Sequence, residues 1–180
     1  LGGGGATELK EKIEEDRPKL EELAGEIGIF GMTNADEVML APRSAFYRSG
    51  VEAEVVRELI VGDAIRDWSH SEGQFCVFPY IDGTLCNPIS KPGLYRWLWP
   101  YKTTLGNRAT FSKNTYFTEG RPWWAWHQIG LRRLATPLPI TFSFVATHNH
   151  FILDRGGSIF NRSAPIIKLK ADAKENDHHA

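Results

Sequence analysis

The stretch "PITFSFVATHNHFILDRGGSIFNRSAPIIKLKA" (139–171) decides the fold class. Branched and aromatic residues alternate with polar ones in short runs, and Asp154-Arg155-Gly156-Gly157 is a clear turn signal. This pattern predicts strands near 139–146, 150–153, 158–161 and 165–169. Upstream the periodicity is longer. Leu9, Ile13, Leu20, Leu23 and Ile27 lie at helical spacings, so 7–27 reads as a helix interrupted at Pro18. Val51, Val55, Val56, Leu59 and Ile60 predict a second helix over 50–63. "QFCVFPYIDG" from Gln74 reads as a strand entering a turn at Asp82-Gly83. Helices are expected over 93–111, restarted at Pro100, and over 120–134, with Pro122 in the first turn. Helices come first and strands cluster late, which is the α+β pattern: N-terminal helices, then a mainly antiparallel sheet with packed helices. The expected core is Phe75, Val77, Trp97, Leu98, Trp123, Ile140, Phe142, Phe144, Ile152 and Ile166.

The division along the chain is a linker and connecting helix (1–27), one domain (28–170) and a polar tail (171–180). A length of 180 residues with 42% hydrophobic and 24% charged residues suits one such domain. No apolar run is long enough for a membrane span. "LGGGGATELKEK" has a glycine run where a signal peptide has basic and apolar regions, and reads as a linker. Cys76 and Cys86 lack metal or redox spacing, so free thiols in a reducing cytoplasm are expected.

Net charge is −1, but it is unevenly spread. Residues 121–170 hold one acid, Asp154, against Arg121, Arg132, Arg133, Arg155, Arg162, Lys168 and Lys170. The first 59 residues are acidic. A basic, arginine-rich segment suits planar anionic partners such as phosphate, or guanine edges. A solvated face offset by the acidic N-terminal part accounts for the same charges equally well.

"THNHF" within the quoted stretch raises metal chemistry. A structural zinc site needs four ligands. His148 and His150, two apart on a strand, supply half a site, and His127 is a third candidate for a metal-dependent nuclease. The remaining acid or Cys ligands are not evident, so no metal ligand is assigned. The other readings are polar residues that satisfy nearby backbone, or base and phosphate contact by Asn149 and the histidines. In "EGRPWWAWHQIGLRRL" three tryptophans interleave with Arg121, His127, Arg132 and Arg133. Aromatics beside bases suit nucleic acid, while a Trp-anchored helix with a solvated arginine side is slightly the simpler account. No glycine-rich cofactor loop, P-loop, GxSxG or HExxH occurs, and "NPI" at 87–89 is not an Asn-Pro-Pro-aromatic box. No catalytic residue is assigned.

"FPYIDGTLCNPI", "LYRWLWPYKTTLGNR", "EGRPWWAWHQIGLRRL" and "VATHNHFILDRGGSIFNRSAPIIKL" together resemble one family. They look like the C-terminal part of large adenine-specific DNA methyltransferases of the bacteriophage-exclusion (BREX) and phage-growth-limitation type. That part is similar to the TaqI-like specificity domain of restriction–modification enzymes. The resemblance rests on Pro79 and Tyr80, on Leu98, Tyr101, Leu105 and Arg108, on Pro122, Trp123 and Arg132 or Arg133, and on His148–His150 with Asp154–Gly157.

It implies a DNA target-recognition domain over 28–170, non-catalytic in isolation. Double-stranded DNA is its partner, with the upstream methyltransferase domain and other defence-system subunits. S-adenosylmethionine is expected in the catalytic half, whose motifs have no counterpart in this sequence. The expected DNA contacts are Arg121, His127, Arg132, Arg133, His148, Asn149, His150, Arg155 and Arg162. Two other classes stay open: the nuclease centred on His127, His148 and His150, and a structural docking module that never touches DNA.

Overall fold

Strand β1 (Ala24–Gly28) lies where the sequence predicts the end of a helix. The helical spacing holds only for α1 (Ala6–Glu14) and the single turn α2 (Leu20–Leu23). Gly25 and Gly28 are poor helix formers, and the strand Ile166–Leu169 offers backbone partners. Ala24 to Gly28 accordingly pair antiparallel with Leu169 to Ile166. The computed structural model describes residues 5–15, 19–134 and 138–174. Pro18 and the end of the polar tail lie outside the described residues.

After β1 come β2 (Gly31–Met32), α3 (Asp36–Met39), β3 (Leu40–Ala41) and α4 (Arg43–Arg48). The helix predicted over 50–63 is instead a one-turn 3-10 segment, Ala53–Val55, running into β4 (Val56–Ile60). Val51, Val55 and Leu59 are four apart and all buried, which mimics a helix face. Yet the segment is dense in β-branched residues, which lose side-chain freedom in a helix. β4 also has partners on both edges. It pairs antiparallel with β7 (Gln74–Val77) and parallel with a late strand, Ile159–Phe160. Between β4 and β7 a small ribbon forms from β5 (Ile65–Arg66) and β6 (Ser69–His70).

The Asp82-Gly83 turn is as predicted. It joins β8 (Tyr80–Ile81) to β9 (Thr84–Leu85), with φ of 48° and 74° at its two central residues. The 93–111 helix is interrupted at Pro100 as expected, giving α5 (Pro92–Leu98), a 3-10 turn and α6 (Lys102–Gly106). No side chain caps α5 from its N-cap position, Lys91. Glu52 does so from a distance, its two carboxylate oxygens accepting from the Gly93 and Leu94 N–H at 2.9 Å each. Gly93 is required here, because a Cβ would lie 1.8 Å from the Gly50 carbonyl oxygen.

The helix predicted over 120–134 is not formed in its first part. Residues 120–127 are irregular, followed by β10 (Gln128–Ile129) and the short α7 (Leu131–Leu134). A helix would use the Trp123 and Ala125 carbonyls in its own ladder, but Arg108 takes both. The Trp124 and Trp126 indoles donate to Cys86 and Val77 carbonyls at 3.0 Å, pinning the segment in two directions.

The late strands agree with the sequence but are shorter: β11 (Ile140–Phe142), β12 (Phe151–Leu153), β13 (Ile159–Phe160) and β14 (Ile166–Leu169). One sheet runs β1-β14-β11-β12 and the other β13-β4-β7-β3. All pairings among the described residues are antiparallel except β13 with β4. The fold is α+β, as the sequence predicts.

Two apolar clusters hold it together. One gathers Phe30, Phe78, Trp126, Phe160 and Ile166 between the sheets. The other packs α3, α4 and α5 through Met39, Phe46, Leu94 and Leu98 on the opposite side of β7. The even and odd residues of β7 separate these cores: Cys76 faces the first and Val77 the second. Ile152, Ile166, Val77, Leu98 and Trp123 are buried as expected, whereas Phe144 is exposed. β11 ends at Phe142, so Phe144 belongs to the following loop, not to the sheet.

Candidate nucleic-acid interface

The nine predicted contact residues fall into separate places. His148 and Asn149 are exposed on the loop 143–150 that joins β11 to β12. This loop is the tip of a hairpin. Phe142 pairs with Phe151, and the Ser143 N–H reaches the His150 carbonyl at 3.3 Å. Phe144 and Val145 on it are 68% and 80% exposed. The two histidine rings are 6.4 Å apart. They do not share a strand face as predicted, because the strand has ended.

His150 turns toward the neighbouring ribbon. Its Nδ1 lies 3.3 Å from the Asp67 N–H and 3.1 Å from Asp67 Oδ1. β12 lies beside both strands of that ribbon. The ribbon's turn presents Trp68, which is 80% exposed. Asp67 and Trp68 both sit at positive φ, 28° and 69°. Two-residue hairpin turns favour Asn or Gly there, so a tryptophan is costly in this place. The sequence reading did not single out residues 65–70. The segment "IRDWSH" carries no glycine, and its only turn cue is Asp67.

Arg121 and His127 belong to a different cluster, built around a buried cation. Arg108 donates to the carbonyls of Thr33 at 2.6 Å, Leu105 at 2.9 Å, and Trp123 and Ala125 at 2.8 Å each. It has no carboxylate partner among the described residues. Its charge rests instead on carbonyl dipoles and on the Tyr116 ring, 4.3 Å from its Cζ. Burial holds the guanidinium below its ordinary pKa. Arg121 also lies over Tyr116, at 4.4 Å, and donates to the His127 carbonyl.

His127 is buried, its ring 4.5 Å from the exposed Phe111 and its Nδ1 3.3 Å from the Tyr116 hydroxyl. Burial, and then Arg121 and Arg108, hold His127 below its ordinary pKa, which favours the neutral ring. His127 thus lies inside the fold, beneath the exposed Phe111.

Arg133 is likewise turned inward. It is half-buried, donates to the Ile29 carbonyl and pairs with Glu26 at 2.5 Å. It thus ties α7 to β1. Gly28 and Gly130 allow this, since a Cβ at either would come within 2.9 Å of its guanidinium. Arg132, Arg155 and Arg162 are exposed. Arg155 occupies the turn at the far end of β12 from the histidine loop. Arg162 lines a cleft with Asp36 and Glu37, so carboxylates share its field.

The described residues contain no group of three or more His, Cys, Asp or Glu that could hold a metal ion. His127 is packed with Tyr116 and Phe111 while His150 is tied to Asp67, so the three histidines of the nuclease alternative do not converge. Both cysteines are free, and burial pushes the Cys76 thiol well above its ordinary range, which leaves it unreactive. No described helix is long and apolar enough to cross a membrane.

This geometry leaves an exposed tip of mixed aromatic and hydrogen-bonding residues with arginines elsewhere on the surface. The adenine-specific methyltransferase PglX of Streptomyces coelicolor is 48% identical to the chain over 153 residues. The chain is similar to part of an adenine-specific methyltransferase. The match covers 84% of this chain but 13% of PglX, so the chain spans a small part of that protein's length. No family model matches the chain.

Proposed function

We propose that this chain is the DNA target-recognition part of an adenine-specific (N6) DNA methyltransferase of a restriction–modification or phage-exclusion system, and that it is non-catalytic in isolation. The observation that carries the proposal is the 48% identity to PglX over most of the chain. An enzyme that methylates adenine within a duplex must take the base out of the stack. It needs a surface that grips phosphates for register and reads base edges for choice. Arg132, Arg155 and Arg162 are exposed cations for the first task. His148 and Asn149 are exposed hydrogen-bonding groups on a projecting loop, suited to the second. S-adenosylmethionine belongs on this reading to the catalytic part of the enzyme, and this chain supplies no residue for it.

The partner within the same enzyme is the methyltransferase domain. Leu9, Ile13, Leu20, Leu23 and Ile27 are each at least 40% exposed and are apolar groups available to it. Their exposure also favours the docking-module reading, in which protein contact is the whole role. Selection from a pool of random duplexes separates the two. Target recognition predicts enrichment of a common adenine-containing sequence, lost in the His148→Ala, Asn149→Ala double variant. A pool that stays random after repeated rounds would favour docking alone.

A further inference from the structure

Two narrow tips project side by side, the ribbon turn at 66–69 and the loop 143–150, and they are coupled by Asp67 and His150. Between them they expose Trp68, Phe144 and Val145. We propose that these tips form a wedge that enters duplex DNA, with Trp68 inserted at a base step and Phe144 packed beside it. The inference rests on the reading that the chain binds duplex DNA, and goes beyond it by naming the element that deforms the helix.

Three observations favour DNA over a protein partner at this place. The apolar groups sit on turn tips, not on a continuous face, and a two-stranded ribbon is narrow enough to enter a DNA groove. Hydrogen-bonding groups surround them: Arg66, Ser69, His70, His148 and Asn149 are all exposed. Finally, Trp68 occupies a positive-φ position where glycine would be easier, so the large ring is held outward at the expense of local stability. Apolar side chains wedged between base pairs unstack and kink a duplex. An enzyme that extrudes an adenine gains from a group that weakens the adjoining stack.

The test uses the full chain and two duplexes, one intact and one with a single abasic site, each with 2-aminopurine at the neighbouring step. Wild type is expected to bind the abasic duplex more tightly and to raise 2-aminopurine fluorescence by unstacking it. Trp68→Gly creates a favoured Asp-Gly turn, so the variant should fold at least as well. It should lose about 10-fold in affinity, the scale of one aromatic–base stack, together with the fluorescence rise. Trp68→Phe should regain part of both, and Phe144→Ala should show a smaller loss. The wedge is overturned if Trp68→Gly binds and unstacks as wild type does. It is equally overturned if Trp68→Gly keeps DNA binding intact but loses association with the catalytic part of the enzyme. Wild type that binds neither duplex would instead defeat the underlying DNA-binding proposal.

Discussion

Asp67 and His150 meet 83 residues apart in sequence, with Nδ1 3.1 Å from Oδ1 and 3.3 Å from the Asp67 N–H. One ring nitrogen serves both contacts. As an acceptor it receives a hydrogen bond from the Asp67 N–H; as a donor it gives one to the carboxylate. In either state it fastens the loop 143–150 to the ribbon 65–70, and these two segments carry the exposed aromatic residues. His150→Ala should therefore loosen both tips while leaving the cores alone. Amide hydrogen exchange should accelerate at 66–70 and 143–150, with global stability changed by about 1 kcal/mol or less, the usual scale for an exposed pair. Unchanged exchange at the ribbon would show that the contact does not couple the tips.

Arg108 joins separate segments of the fold through four backbone carbonyls. Its removal takes the side-chain donor from four carbonyls and one of the two cations packed on the Tyr116 ring. Arg108→Ala should cost about 3 kcal/mol or more in urea unfolding. Arg108→Lys should cost nearly as much, because an ammonium has three donors and none in a planar fork. A loss below about 1 kcal/mol in both variants would contradict this role.

Glu52 links stability to acid. Burial pushes its carboxyl up, but the Gly93 and Leu94 N–H groups and Lys91 outweigh that and hold it below the ordinary value of 4.5. The unfolded chain therefore takes up this proton first. The contribution is complete above pH 4.5 and is lost as pH falls through the lower folded value. Glu52→Gln should lower stability at neutral pH by about 1 kcal/mol, as for a lost helix cap. The gap from wild type should narrow below pH 4.5. A gap that stays constant from pH 7 to pH 3 would count against the carboxylate's part in capping α5.

His127 gives a second, separate pH window. Its pKa is held below 6.5 first by burial and then by the two arginines. Below pH 6.5 the unfolded chain binds the proton more readily, so stability is full above that pH and falls on acidification. His127→Gln should flatten the stability profile just below pH 6.5 without altering the Glu52 window. Parallel profiles for wild type and variant would refute the buried neutral imidazole.

Strands 139–171 were legible because alternation and the Asp154–Gly157 turn agree with one another. The failures share a cause: local pattern competing with long-range partners. Val51, Val55 and Leu59 have helical spacing, but β7 and β13 flank the segment and fix it as a strand. Pro122 suits the first turn of a helix over 120–134, but the carbonyls such a helix needs are held by Arg108.

Among candidate site residues, exposure of His148, Asn149, Arg132, Arg155 and Arg162 follows from their polarity, whereas the inward turn of His127 depends on Tyr116 in the irregular segment before it and that of Arg133 on Glu26, far away in sequence. Trp68 was invisible because the ribbon lacks the glycine that normally marks such a turn.

The central claim is that the chain binds duplex DNA through surface cations. Its most direct test is duplex affinity across a salt series, for wild type and for the Arg132→Ala, Arg155→Ala double variant. Affinity should fall linearly on logarithmic axes as salt rises, and the double variant should lower that slope by about two, one per phosphate contact removed. Binding that ignores salt, or a slope that the two substitutions leave unchanged, would contradict the account.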